Sequence, residues 1–552
     1  MTITVYHNGT VFTGSTAAPN AEAFAVADGR FLACGSASAV ADAARSLASA
    51  ANADTEVQAV DLSGSFVMPA FVEAHTHLLM LGQALEKVQL RDCNSIAEVQ
   101  ERLRQARAEN PDAKHLFGVG WRFEIFDDAQ PTAALIDSVV SDIPVILDAN
   151  DLHSAWVNTA ALTALGIDEH TPDPHGGEIV RDANGQATGY LIESAAILIA
   201  WPFAENAVDD AGRDSFLDTA AAAYLAAGVT TVTEMAGNPT ILATLRRRLE
   251  RDGRLPLVTN MHWLIRPDSE VANVVAQVEE AAALRDELAA SYGTDWLRLI
   301  GIKIVSDGVI DGCTAAMHEP YITGAHPAPI WSSEAAVAAT VRAHELDLQV
   351  AFHAIGDAAV TLGCEVFEAA KERQPGHDLR PRIEHLEYVS EETFARLAEN
   401  NITASMQPVH ADPAVLKNWQ AVLGDARAEG GFAWQKMREA RVPIVLGSDA
   451  PTAPHETLPN LFIAVTGRSA LQPELEPYHP ERAFTPAAAL TAMTHTAAWA
   501  THRDEEVGQI AAGLRAHFTV LDHNPLTADA ETVLRGAVLQ TFVDGAKVYS
   551  RR

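Results

Sequence analysis

Basic residues are scarce in this chain: 39 Lys and Arg stand against 73 Asp and Glu over 552 residues, a formal net charge of −34. Phosphate backbones and anionic membrane surfaces are held by basic patches, so neither nucleic acid nor a membrane surface is an expected partner. The acidic excess reads as a solvated surface that favours solubility. Cysteine is rarer still. Cys34, Cys93, Cys313 and Cys364 lack CxxC spacing, which argues for buried small hydrophobes in a reducing compartment and against a disulfide framework. No apolar run reaches the ~18 residues that a membrane span needs. The opening MTITVYHNGTVFTG has a strand pattern rather than a leader's basic and apolar regions. A cytoplasmic protein is expected. Internal repeats and low-complexity segments are also missing.

What is present describes a globular enzyme, with 48% hydrophobic and 20% charged residues. Residues 1–66 alternate in strand fashion and are broken by Asn-Gly and Asp-Gly turns; residues 505–552 do the same in AHFTVLDHNP and AVLQTFVDGAKVYS. Two β-rich termini predict one small sandwich assembled from both ends of the chain. Between them lie eight short apolar runs, at 66–75, 228–235, 255–263, 297–305, 348–354, 380–386, 402–407 and 442–449. Ala- and Glu-rich helical stretches such as SEAAVAATVRAHEL separate them. Strand–helix alternation on this scale predicts an α/β architecture, a (β/α)8 TIM barrel closed by right-handed crossovers. Its first strand falls in 67–89 and the rest in 226–504. The interval 90–225 is far longer than a βα connection requires and predicts an inserted α+β subdomain covering the barrel mouth.

Six chemically capable residues end these runs: His75 and His77 (AHTH), Lys303 (GIKIV), His353 (AFHAIGD), His385 (RIEHLE) and Asp449 (LGSDAP). With 21 His, about one His-x-His pair arises by chance. The recurrence of a ligand at the end of strand after strand is what points to a metal centre at the barrel's C-terminal mouth. Residues two apart on a strand share a face, so His75 and His77 can chelate one ion. His353 and His385 are placed for a second. Asp449 can bind the first ion and accept a proton from its water. Lys303 sits among apolar neighbours, where an ammonium is costly and its pKa falls. The neutral amine can take up carbon dioxide and become a carbamate with two oxygens for two cations. The plainer alternative pairs Lys303 with a carboxylate such as Asp307. Two adjacent divalent ions acidify water and polarise a carbonyl, which makes hydrolysis the natural chemistry.

The strings PAFVEAHTH, GWRFEIFDDAQPT, DLHSAWVNTAAL, GGEIVRDANGQATGYLIE, GIKIVSDG, VAFHAIGDAAV, RIEHLEYV and GSDAPTAPHETLPNL resemble the amidohydrolase superfamily over nearly the whole chain. The subgroup they are most similar to includes N-substituted formamide deformylases. The resemblance implies a binuclear, usually zinc, hydrolase. His75, His77 and Asp449 would hold one metal, carboxylated Lys303 would bridge, and His353 and His385 would hold the other. It also implies a homodimer. The chain departs from the family at Ala70 and Glu73, at His517, and in the DGVIDGC loop of Asp307 to Cys313. Trp121, Phe126 and His153 in the insertion are candidate pocket-lining residues. Asp307, Gln407 and His410 are candidate substrate contacts.

The leading expectation is hydrolysis of a small N-substituted, formamide-like amide. A mononuclear deaminase would lack a bridging lysine, and esterase, lactonase or phosphotriesterase chemistry could use the same centre. A metal-binding module without catalysis would have no use for Asp449 as a proton shuttle.

Overall fold

The computed structural model describes residues 1–50, 55–126, 130–149, 154–174 and 177–551. The eight expected runs form one parallel sheet. In chain order its strands are β1 (Phe71–Thr76), β2 (Val229–Gly237), β3 (Val258–Leu264), β4 (Leu297–Val305), β5 (Gln349–Ala354), β6 (Arg382–His385), β7 (Thr403–Met406) and β8 (Ile444–Leu446). Each pairs with its sequence neighbour. The sheet closes between β8 and β1, where Asp449 N–H donates to His75 O at 2.8 Å and Thr76 bridges to Ala450. This is the expected (β/α)8 barrel with additional sheets.

Local chemistry sets the returning helices. Pro239–Asp252 begins at Asn238, whose side chain accepts from Thr240 and Ile241 N–H, with Pro239 in the first turn; Gly253 ends it at φ 69°. Strand burial is nearly continuous, as in β1 and β6, because helices cover one face and the barrel core fills the other.

The termini build two further sheets. One runs Arg30–Gly35, Ala23–Ala27, Thr2–His7, Glu56–Asp61. The other joins Ala546–Ser550, Val538–Val543 and Phe518–Leu521 to Phe66–Pro69, Thr10–Phe12 and Asn20–Ala21. An aromatic cluster lies at their core: Tyr6 stacks on Phe24 at 4.7 Å and Phe518 on Phe542 at 4.2 Å. Two local readings change. The run at 66–75 is two strands, since Phe66–Pro69 pairs with Phe518–Leu521 while Phe71–Thr76 enters the barrel. The N-terminal segment also contains a helix, Ala37–Ala50, whose alanines favour helix and whose Val40 and Ala44 are buried.

Leu79–Ala220 forms a second compact unit. Its six-stranded sheet runs Gly177–Arg181, Ala187–Glu193, Ser154–Val157, Val145–Ala149, Leu116–Trp121, Val88–Gln89. Trp121 and Phe126, expected to line a pocket, are core side chains of this unit. Trp121 is wholly buried, donates its indole N–H to Leu147 O at 2.8 Å, and packs edge-on against Phe126 at 5.6 Å and Trp156 at 6.1 Å. A large aromatic ring contributes most when fully desolvated with its polar atom paired, which explains the placement. No described helix is long and apolar enough to cross a membrane.

Candidate metal centre

Five of the six expected residues meet at the C-terminal ends of the barrel strands. Asp449 Oδ1 lies 3.3 Å from His75 Nε2 and 3.2 Å from His77 Nε2. The His385 ring is 5.0 Å from that of His75 and 4.5 Å from that of His353. Ligand atoms of His75, His385 and Asp449 all fall within 4.8 Å of one another. Backbone strain accompanies this convergence: φ is +79° at His385, +51° at Leu386 and +60° at Asp449. Residues other than glycine hold such angles only where surrounding structure imposes them, and such positions cluster at functional sites.

Lys303, 3% exposed near the end of β4, is the sixth. Burial pulls its amine below the ordinary lysine range, against the nearby carboxylates of Glu384 and Asp449. It forms no ion pair among the described residues. Asp307 in particular is engaged elsewhere: its carboxylate accepts from the backbone N–H of Ala316, Ile355 and Gly356 at 3.0, 3.0 and 2.9 Å. Asp307 braces the loops after β4 and β5 through these three N–H groups, and its Oδ1 also lies 3.3 Å from His353 Nε2.

Gln407 also faces the cluster rather than standing free: its Oε1 is 3.0 Å from His385 Nδ1. With Nδ1–H donated there, the other ring nitrogen of His385 is left to the site. His410, on the turn Pro408–Ala411 after β7, has Nδ1 3.1 Å from Glu387 Oε1 and Nε2 3.7 Å from Asp449 Oδ2. His153 lies outside the described residues.

Carboxylates given no role in the sequence reading organise the centre. Glu384 Oε2 sits 2.7 Å from His75 Nδ1 and is clamped by Arg382, whose Nε reaches Oε1 at 2.5 Å. Arg382 also donates to Ala74 O and Ser405 Oγ. Both partners are fully buried. Burial penalises the Glu384 carboxylate, yet Arg382, His75 and Lys303 hold it well below the usual range. Burial and the Lys303 charge lower His75 to about 4, so its ring is neutral. Glu73 accepts from the N–H groups of His75 and Ser448, tying β1 to the end of β8. Burial pushes it up to about 7. Glu234, at the end of β2, accepts from Leu78 and Ala236 N–H. The signal for Glu384 was legible in RIEH: a charged pair inside a buried strand demands an explanation.

Among the described residues, His77 Nδ1, His353 Nε2 and Asp449 Oδ1 are buried in the cluster without a hydrogen-bond partner. Orphaned imidazole nitrogens and a carboxylate oxygen beside a depressed lysine are the donor set that divalent cations take. The residues fit a metal centre.

A closed parallel barrel with such a set at its mouth fits a metal-dependent hydrolase. The chain belongs to the amidohydrolase family, whose model matches residues 58–549. It is 29% identical over 554 residues to Protein LONG AFTER FAR-RED 3 of Arabidopsis thaliana, covering 98% of this chain and 91% of that one. It is 29% identical over 532 residues to the N-substituted formamide deformylase of Arthrobacter pascens, covering 91% of each. Among solved structures, an uncharacterized metal-dependent hydrolase from Pyrococcus furiosus superposes with a TM-score of 0.76 at 26% identity, over 95% of this chain and 100% of that one.

Proposed function

We propose that this protein hydrolyses the C–N bond of a small N-substituted amide of the formamide type, using two divalent metal ions, zinc by preference. The observation that carries the reading is the convergence of His75, His77, His353, His385 and Asp449 around a buried, depressed Lys303. His75, His77 and Asp449 would hold one ion, and His353 and His385 the other. Lys303 would serve both as a carbamate: its neutral Nζ adds to the carbon of carbon dioxide and releases a proton.

When bound, the metals acidify the attacking water and polarise the scissile carbonyl. The Asp449 carboxylate takes the proton from that water as the C–O bond forms. It then gives the proton to the leaving nitrogen as the C–N bond breaks, releasing a carboxylic acid and an amine. Glu384 and Gln407 fix the ring tautomers of His75 and His385, so that the remaining nitrogens would be available to hold the ions.

The test is metal per chain by plasma mass spectrometry with intact mass under non-acidic conditions. Two zinc ions and a mass gain of one carbon dioxide support the reading; one ion and an unmodified Lys303 move it to a mononuclear deaminase. Asp449→Asn is expected to retain most of the metal while lowering kcat by about 10²–10⁴, the contribution of a positioned acid–base group. Equal loss of metal and turnover would overturn the role given to Asp449.

A further inference from the structure

The N-terminal end of the barrel, away from the metal centre, carries a cavity of about 310 Å³ that the hydrolytic scheme does not use. Small-molecule sites occupy about 300–1,000 Å³, so this one is of a useful size. Helix Val271–Tyr292 contributes Leu288 and Ala289 to its wall, and the beginning of β4 contributes Leu297, Leu299 and Ile300. Leu379, three residues before β6, completes the apolar lining. The charged groups at the rim already have partners. Arg285 pairs with Asp286 at 2.8 Å, Arg298 pairs with Glu506, and Asp347 Oδ1 lies 3.1 Å from His377 Nε2. A charged ligand would lose its water without gaining a free counter-ion, whereas apolar surface gains by leaving water.

The inner wall is Gln349, the first residue of β5, which is 1% exposed. Its Nε2 donates to Leu379 O, Arg380 O and Ala500 O at 3.1, 2.7 and 2.8 Å. The amide is thereby oriented, and its Oε1 accepts from His262 Nε2 on β3 at 2.9 Å. One side chain therefore ties the roots of β3, β5 and β6 together. Those roots lead to the metal centre. Leu299 stands four residues before Lys303, and Gln349 four before His353, about 13 Å along a strand. Leu379 leads into the strand that ends at His385. Close-packed elements transmit strain rather than absorb it, so packing at these roots limits the play of the side chains at the far ends.

We propose that this cavity is an effector site for a neutral, mainly apolar small molecule, and that its occupancy tightens the hold of the metal centre on zinc. The binding half of the inference needs no metal, and the coupling half rests on the metal-centre reading above. By linkage the effect is reciprocal: zinc strengthens binding in the cavity by the same factor as the cavity ligand strengthens binding of zinc.

The probe is N-phenyl-1-naphthylamine, a neutral fluorophore that brightens in apolar surroundings, titrated against the whole protein beside its anionic relative 8-anilinonaphthalene-1-sulfonate. Ala289→Trp sends an indole into the cavity from an exposed helix position, where substitution costs little stability, and Ala289→Ser leaves the space open. We expect one neutral probe per chain, with the sulfonate at least about tenfold weaker because its charge is desolvated without a partner. Ala289→Trp should abolish binding and Ala289→Ser should keep it. In a zinc competition titration, saturating neutral probe should raise zinc affinity by about fivefold or more in the wild type and Ala289→Ser, and leave Ala289→Trp unchanged. Probe binding that survives in Ala289→Trp, or equal affinity for the sulfonate, overturns the site or its ligand class. Binding that leaves zinc affinity unchanged overturns the effector role. A wild type that takes up no zinc overturns the metal-centre reading, and the probe titration then decides the site by itself.

Discussion

Arg382 and Glu384 offer the clearest test of the physics beneath the metal site. Both side chains are fully buried, and Nε–Oε1 and Nη2–Oε2 measure 2.5 and 3.1 Å. At a charge separation of about 4 Å and an effective dielectric of about 20, their attraction is roughly 4 kcal/mol. Arg382→Met removes that attraction and leaves the Glu384 carboxylate buried with only the His75 ring and the Lys303 amine to stabilise it. It also strips donors from Ala74 O and Ser405 Oγ. Breaking a buried pair in this way costs about 3–5 kcal/mol, a large share of the ~5–15 kcal/mol that stabilises a folded domain. In a Glu384→Gln background no buried charge is stranded, so the same Arg382→Met change should cost about 1–2 kcal/mol, the value of the lost hydrogen bonds. The assay is a double-mutant cycle by urea denaturation of the metal-free proteins, which keeps metal affinity out of the measurement. A coupling energy of about 1–4 kcal/mol, the difference between the two costs, is expected. Additivity within about 0.5 kcal/mol would refute the reasoning, since uncoupled sites behave that way.

Other predictions follow from the same structure. Glu384→Gln should weaken zinc binding by about tenfold to hundredfold in a competition titration, because the carboxylate orients His75 and raises its basicity; unchanged affinity would remove Glu384 from the centre. His344 is buried, stacks on Phe367 at 6.4 Å, and is lowered to about 4 by burial and then by His377. Its unfolded form takes a proton below about pH 6.5 while the folded form does not, so stability is lost as pH falls from about 6.5 to about 4. That loss amounts to about 3 kcal/mol. His344→Leu should flatten this acid limb, and an identical pH dependence of the urea midpoint would contradict the burial argument. Trp121→Ala should destabilise the Leu79–Ala220 unit by about 3–5 kcal/mol through the cavity left among Phe126, Trp156 and Tyr190. Native-state hydrogen exchange confined to that unit would show it.

Burial is written locally, and so the sequence by itself determined a good deal here. Apolar runs at βα spacing announced eight strands, and a strand end that carries His, Lys or Asp within such a run announces a side chain turned into the barrel mouth. Hence all eight strands, and the meeting of His75, His77, His353, His385 and Asp449, were legible. The tertiary structure decided what depends on partners distant in the chain. Phe66–Pro69 leaves the barrel because Phe518–Leu521 pairs with it, a partner supplied more than 400 residues later. Only the fold brings the N–H groups of Ala316, Ile355 and Gly356 to the carboxylate of Asp307. Trp121 and Phe126 could have lined a pocket or filled a core, since periodicity reports that a side chain is buried and not what it is buried against. Glu384 on His75 joins segments 309 residues apart. Its role rests on a distance of 2.7 Å, and a one-dimensional pattern carries no information at that scale.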